Sequence, residues 1–122
     1  MISKATFSFL KDLKYNNYKE WFDENRSAYQ AARKEFENLV NLAIAEISVF
    51  DKKTAQTTAK ASIFRINRDI RFSNDKSPYK TNLGAYIVQG GKKSILAGYY
   101  IHLEPGACFL SGGIYMPSGV VL

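Results

Sequence analysis

The chain has one cysteine, Cys108, and one histidine, His102. A single thiol excludes an intrachain disulfide, and one Cys with one His falls short of the donor sets of the common zinc sites. Three prolines and eight glycines exclude a collagen-like or Pro/Gly-rich disordered composition. No apolar run approaches the ~18 residues of a membrane span. Met1-Ile2-Ser3-Lys4 leads straight into an amphipathic pattern, without the apolar core of a signal peptide. These absences imply a cytoplasmic protein with no membrane partner. Also missing are the G-x-x-x-x-G-K-[ST] loop, the H-E-x-x-H helix and the G-x-S-x-G elbow, so no ready-made reaction can be read off.

What is present is globular. A chain of 122 residues that is 46% hydrophobic, 14% aromatic and 23% charged is the size and composition of one domain. Its formal net charge of +6 suits an anionic partner, and the excess is unevenly placed. Residues 1–59 carry nine cations and eight anions, whereas residues 60–122 carry eight cations and three anions.

The first half has helical periodicity. Ser3 or Thr6 is placed to cap a short helix running through Leu13, with Phe7, Leu10 and Leu13 on one side and Asn16-Asn17 at its end. Asn17 followed by Glu20 resembles a capping box for a second helical region. In that region Phe22, Tyr29, Phe36, Ala43 and Phe50 recur every seventh residue, flanked by Ala32, Leu39, Val40 and Ile47. A single helix from Tyr18 to Val49 would be long for a small domain, which predicts a break near Asn25 or Arg26. Lys52 to Lys60 has no clear period and reads as a connection, with a short helix as the alternative.

Beyond it the period changes to that of strands. Gln89-Gly90-Gly91-Lys92, Pro105-Gly106 and Ser111-Gly112-Gly113 punctuate apolar runs, the second having the residues of a type II turn. Strands are predicted over Ala85 to Val88, Ile95 to Leu103, Cys108 to Leu110 and Ile114 to Met116, as an antiparallel meander. Alternation puts Ile95, Ala97, Tyr99, Ile101 and Leu103 on a core face and Leu96, Gly98, Tyr100, His102 and Glu104 on the other. His102 thus lies where chemistry is available, although an exposed or hydrogen-bonded sheet histidine outweighs a catalytic one. Cys108, between Ala107 and Phe109, reads as a buried core thiol.

The densest chemistry lies between Arg65 and Lys80, which holds five cations, two aspartates and interleaved apolar anchors. Ile63 to Asn67 fits a strand with Phe64 and Ile66 inward; a helical turn uniting Arg65, Arg68, Asp69 and Phe72 is the alternative. Ser73 to Tyr79 reads as an ordered loop around Asn74-Asp75 and Pro78. Guanidinium forks from Arg65, Arg68 and Arg71, with Lys76 and Lys80 as point charges and Tyr79 stacking on a ring, would bind a phosphorylated or carboxylate ligand. Asp69 and Asp75 would orient the arginines. With a divalent ion, Asp69, Asp75 and His102 are instead the catalytic candidates of a metal-assisted phosphoester hydrolase. Otherwise no metal or other cofactor is expected. Two further alternatives stay open: a nucleic-acid-binding module in which the cations follow a backbone, and a structural ion-pair network with no ligand.

Arg65-x-x-Arg68-Asp69-x-Arg71-Phe72-Ser73-x-Asp75-Lys76-x-Pro78-Tyr79-Lys80 resembles the signature of the bacterial domain-of-unknown-function family 2461. Asn16-Asn17-x-Lys19-Glu20-Trp21-Phe22, Gly98-Tyr99-Tyr100-x-His102-Leu103 and Gly112-Gly113-x-Tyr115-x-Pro117 resemble its other recurring segments. The resemblance spans nearly the whole chain and implies conserved hypothetical proteins without an assigned activity. It also implies that family members continue past the Tyr-x-Pro segment, so this chain, ending at Val120-Val121-Leu122, is expected to be the N-terminal part of a longer domain. An apolar end and a sheet edge then point to a homodimer. The expected architecture is α+β: a single domain over 1–122, with helices of residues 1–51 packed on one face of a mainly antiparallel sheet from residues 60–122.

Overall fold

The structure, a computed structural model, describes residues 2–52, 57–88 and 98–113. Helix α1 spans Lys4–Tyr15, α2 Lys19–Glu24, α3 Arg26–Ile47 and α4 Ala59–Ser62; strand β1 spans Leu83–Ile87, β2 Gly98–Leu103 and β3 Phe109–Gly113. The strands form one antiparallel sheet in the order β1-β2-β3, so the fold is α+β with a meander. The expected turn at Gln89 to Lys92, the residues Ile95 to Ala97 and the strand at Ile114 to Met116 lie outside the described residues. Among the described residues no helix is long and apolar enough to cross a membrane.

The break between α2 and α3 occurs at Asn25. Its N–H reaches the carbonyls of Trp21 and Phe22, its side-chain amide donates to Trp21 O, and its own carbonyl receives Tyr29 N–H. One residue therefore satisfies the groups that end one helix and begin the next. The expected capping roles are not taken up. Ser3 makes no cap hydrogen bond, and both Ser3 and Thr6 donate their hydroxyls to Glu35 on α3, with the Ser3 N–H as a third donor. That clamp joins the start of α1 to α3. The Asn17–Glu20 box does not form either, because Asn17 is engaged with Tyr79, and Tyr18 is the N-cap of α2 without a side-chain bond.

The helical stripe enters the core as Phe22, Ala32, Phe36, Val40, Ile44 and Ile47, joined by Phe9, Leu10 and Leu13 of α1. Each fully covered side chain such as Leu10 or Phe36 contributes about 1.5–3 kcal/mol. Phe50 departs from the stripe and is 74% exposed, because α3 ends at Ile47 and the chain turns away there. The short helix α4 is capped by the Thr58 hydroxyl, which accepts from Ala61 N–H.

The register pairs Leu83 with Leu103, Ala85 with Ile101 and Ile87 with Tyr99, and these side chains share the face that meets the helical core. The opposite face carries Gly84 against His102 and Tyr86 against Tyr100, then Phe109 and Ser111 of β3. The alternation expected for β2 therefore holds over its described length. Gly106 adopts φ +81°, and Ala107 N–H bonds Glu104 O, as a type II turn at Pro105-Gly106 requires. Ser111-Gly112-Gly113 is not a turn: it pairs with β2 as the body of β3. Cys108 is exposed, not buried, because the tight turn leaves it on the outside, its Sγ donating to Glu104 O.

Candidate functional site

Residues 63–68 run antiparallel to residues 78–85 without forming a regular strand. Bridges join Ile63 to Ala85 and Asn67 to Tyr79, with Phe64 N–H on Gly84 O, Lys80 N–H on Ile66 O and Arg68 N–H on Pro78 O. The extended reading is the one that forms, and the helical alternative for Arg65 to Phe72 does not. A bend at Ile66 breaks the two-residue period, so Ile63 and Ile66 are the buried anchors while Phe64 is half-exposed. Residues 69–77 then close the tip as a loop.

Arg68 holds that loop together. Its Nη1 lies 2.9 Å from Ser77 O and 3.3 Å from Asp75 Oδ2. Asp75 in turn accepts from Ser77 N–H at 2.9 Å and from the Ser77 hydroxyl at 2.6 Å. Those Ser77 bonds, with a smaller contribution from Arg68, hold its carboxyl below the ordinary aspartate range. Lys76 donates to Ile70 O at 2.8 Å. Arg71 forks onto Asp69 through Nε at 3.0 Å and Nη2 at 2.8 Å, and these hydrogen bonds hold Asp69 down to about 2. Phe72, read as an anchor, is 94% exposed with the Arg71 guanidinium over its ring.

Tyr79 belongs to the core. It is buried and stacks on Phe22 at 4.1 Å between centroids, so its ring is occupied by protein and not presented to a base. Five of the sequence-predicted residues, Arg68, Arg71, Lys76, Asp69 and Asp75, are thus engaged within the loop. Among the described residues no group of three or more His, Cys, Asp or Glu side chains is placed to hold a metal ion.

Arg65 and Lys80 are different. They line a cleft of about 230 Å³ with Phe64, Asn82, Gly84, Tyr100 and His102, on the sheet face away from the helices. All eleven Asp and Glu side chains are among the described residues, and none forms a salt bridge with Arg65 or Lys80. Burial, and secondly the Arg65 charge, push the Lys80 ammonium below the ordinary lysine range. Lys80 also lies over the Phe64 ring at 5.4 Å. Lys80 and Asn82 also line a second hollow of about 360 Å³, bordered by Lys14, Asn17, Arg68, Asp75 and Ser77.

On the far wall, His102 is fixed from several sides. Tyr100 Oη is 2.9 Å from its Nδ1, Asn82 Nδ2 is 3.4 Å from the same atom, and Glu104 Oε1 is 2.7 Å from Nε2. Phe109 stacks on the imidazole at 4.9 Å between centroids. Alternation along β2 revealed Tyr100, His102 and Glu104 in the sequence. Asn82 had no such signal, since it lies in an irregular stretch just before β1 and enters the cleft only because residues 63–68 run beside it.

No curated protein and no solved structure matches the chain. Residues 5–122 do match a family described as conserved hypothetical protein (DUF2461), in agreement with the segments around the Arg65–Lys80 cluster and β2, and the chain belongs to that family.

Proposed function

We propose that this domain binds a compact phosphate-bearing small molecule in the cleft between the Arg65–Lys80 segment and β2. The observation that carries this reading is the pairing of two like charges, Arg65 and Lys80, on one cleft, neither of them in a salt bridge with a carboxylate. The two cations repel each other and burial costs Lys80 part of its hydration, and an oxyanion between them offsets both penalties. Arg65 supplies a planar fork for two oxygens and Lys80 a point charge. Asn82 and His102 border the same space with further polar atoms. Arg68, Arg71 and Lys76 shape the loop from outside the cleft, so the ion-pair network and the binding site are neighbouring devices in one segment. Asp69 and Asp75 are occupied by Arg71, Ser77 and Arg68, which leaves them poor ligands for a divalent ion.

Calorimetric titration of the full chain with inorganic phosphate and pyrophosphate tests the reading. Saturable binding is expected, weakened roughly ten- to hundredfold by Arg65→Ala or Lys80→Met, since a charge-assisted hydrogen bond contributes about 1.5–3 kcal/mol. Absence of phosphate binding would sink it. Tight binding of single-stranded nucleic acid, with a salt slope of several released counterions, would replace it by a backbone-reading module.

A further inference from the structure

The wall of the cleft contains an arrangement that binding alone does not use. Tyr100, His102 and Glu104 occupy alternate positions leading out of β2 and form a continuous chain of hydrogen bonds, Tyr100 Oη to His102 Nδ1 at 2.9 Å and His102 Nε2 to Glu104 Oε1 at 2.7 Å. An ionised carboxylate only accepts, so Glu104 fixes the proton of a neutral imidazole on Nε2. Nδ1 is then the acceptor, and the Tyr100 hydroxyl donates to it. This is the logic of an activated nucleophile: a hydroxyl, a base that takes its proton, and a carboxylate that orients the base.

Three features favour this arrangement over a merely tidy sheet surface. The Tyr100 hydroxyl lies so close to the backbone of Gly84 that a Cβ there would be 2.9 Å from it, so the glycine leaves room for its position. The His102 ring is clamped by Phe109 and is only 16% exposed, which fixes its plane. Finally, Tyr100 and His102 line the same cleft as Arg65 and Lys80.

Resting on the phosphate-binding reading above, we propose that Tyr100 is a catalytic nucleophile toward a phosphate monoester held by Arg65 and Lys80, with His102 as general base and Glu104 as a positioning residue. Tyr100 Oη attacks phosphorus, the Oη–P bond forms, and the ester P–O bond breaks with its electron pair leaving on the departing oxygen. The phenolic proton passes to Nδ1 of His102, and the resulting imidazolium is held by Glu104. That proton is then released to the departing oxygen or to water. In the second half, neutral His102 takes a proton from water as the water attacks phosphorus. The Oη–P bond breaks, the Tyr100 phenolate recovers the proton from His102, and inorganic phosphate leaves. Arg65 and Lys80 face the negative oxygens throughout, where preorganised donors are most effective.

The test uses the full chain with p-nitrophenyl phosphate as substrate and inorganic phosphate as binding probe. Release of p-nitrophenolate is expected, with acid-quenched protein carrying one phosphoryl group on Tyr100. Tyr100→Phe, which keeps the ring and its packing, abolishes both while phosphate still binds. His102→Gln lowers turnover by on the order of 10²–10⁴-fold. Glu104→Gln lowers kcat with KM unchanged, a split that a purely structural role would not give. Wild-type protein that binds phosphate yet forms neither p-nitrophenolate nor the adduct overturns the nucleophile and leaves the binding site standing. Turnover that survives Tyr100→Phe overturns it equally. Failure to bind phosphate overturns both.

Discussion

The side-chain amide of Asn17 pairs with both backbone groups of Tyr79, accepting its N–H at 3.0 Å and donating to its carbonyl at 2.9 Å. The turn between α1 and α2 thereby takes the place of a neighbouring strand for the residue that leads from the charged loop into the cleft. Beside this contact, the Tyr79 ring stacks on Phe22. Asn17→Ala leaves two backbone groups of a buried residue without partners. It is expected to lower stability by about 2 kcal/mol or more in urea unfolding. A change within about 0.5 kcal/mol, the range of ordinary surface substitutions, would contradict that role.

Arg68 and Arg65 should separate scaffold from site. Arg68→Ala removes the donor that joins Asp75 and Ser77 O across the loop. A loss of about 1–3 kcal/mol is expected, and Arg68→Lys should restore little because a point charge cannot span both acceptors. Arg65→Ala should change stability by less than about 0.5 kcal/mol, because Arg65 is exposed and unpaired. Equal destabilisation by the two alanine variants would contradict the division.

Lys80 carries a testable pH signature. Its folded pKa is lowered by burial and by Arg65, so the unfolded chain holds this proton more tightly than the folded one. Stability should therefore rise as pH increases from the lowered value to the ordinary lysine value of about 10.4. Lys80→Met should be more stable than wild type below that window, lack the rise, and bind phosphate less well. A Lys80→Met protein less stable than wild type near neutrality would refute the charge-burial account.

At the acid end the sign reverses. Hydrogen bonds from the Thr6 hydroxyl, then from the Ser3 N–H and hydroxyl, hold Glu35 below the ordinary glutamate range. A lowered folded pKa contributes stability that is present above the ordinary value of about 4.3 and is lost as pH falls through the folded value. Thr6→Val should flatten that part of the acid limb in thermal unfolding series between about pH 5 and pH 2. An acid limb as steep as that of wild type would show that the clamp does not act through Glu35.

Two glycines of the sheet should respond differently to alanine. At Gly98 a Cβ would meet Ile87 O at 2.6 Å and Val88 Cβ at 2.7 Å, both in a buried region. Gly98→Ala is expected to cost about 1–3 kcal/mol as overpacking. At Gly84 the nearest atom is the Tyr100 hydroxyl, the far end of a side chain. Gly84→Ala should cost less, and the loss should appear as a displaced Tyr100–His102 hydrogen bond in NMR spectra of the histidine ring. Comparable stability losses in the two variants would contradict this distinction.

Short-range order was legible from residue types. The Asn25 break, the stripe from Phe22 to Ile47, the glycine turn after Pro105 and the alternating faces of β2 each follow from periods of two to seven residues. A local stereochemical preference sets such periods whatever the rest of the chain does. The same logic failed where local signals were ambiguous. Glycines 112 and 113 read as a turn but pair along β2, because a β partner overrides the weak preference of glycine against strands. Phe50 continued the sevenfold pattern on paper, yet the helix that would carry it ends at Ile47.

By itself the sequence determined the α+β class, helices before strands, and the segment where charge concentrates. Only the tertiary structure decided which of those charges neutralise each other and which are left facing a cleft. Arg68 and Arg71 are engaged within their loop, whereas Arg65 and Lys80 meet across antiparallel segments, opposite a histidine on another strand. Asn17 reaches Tyr79 across 62 positions, and Glu35 reaches Thr6 across 29. The physical reason is range. Backbone preference acts over a few residues and is written in neighbouring side chains, while ion pairing and desolvation depend on distances that exist only once the chain has packed.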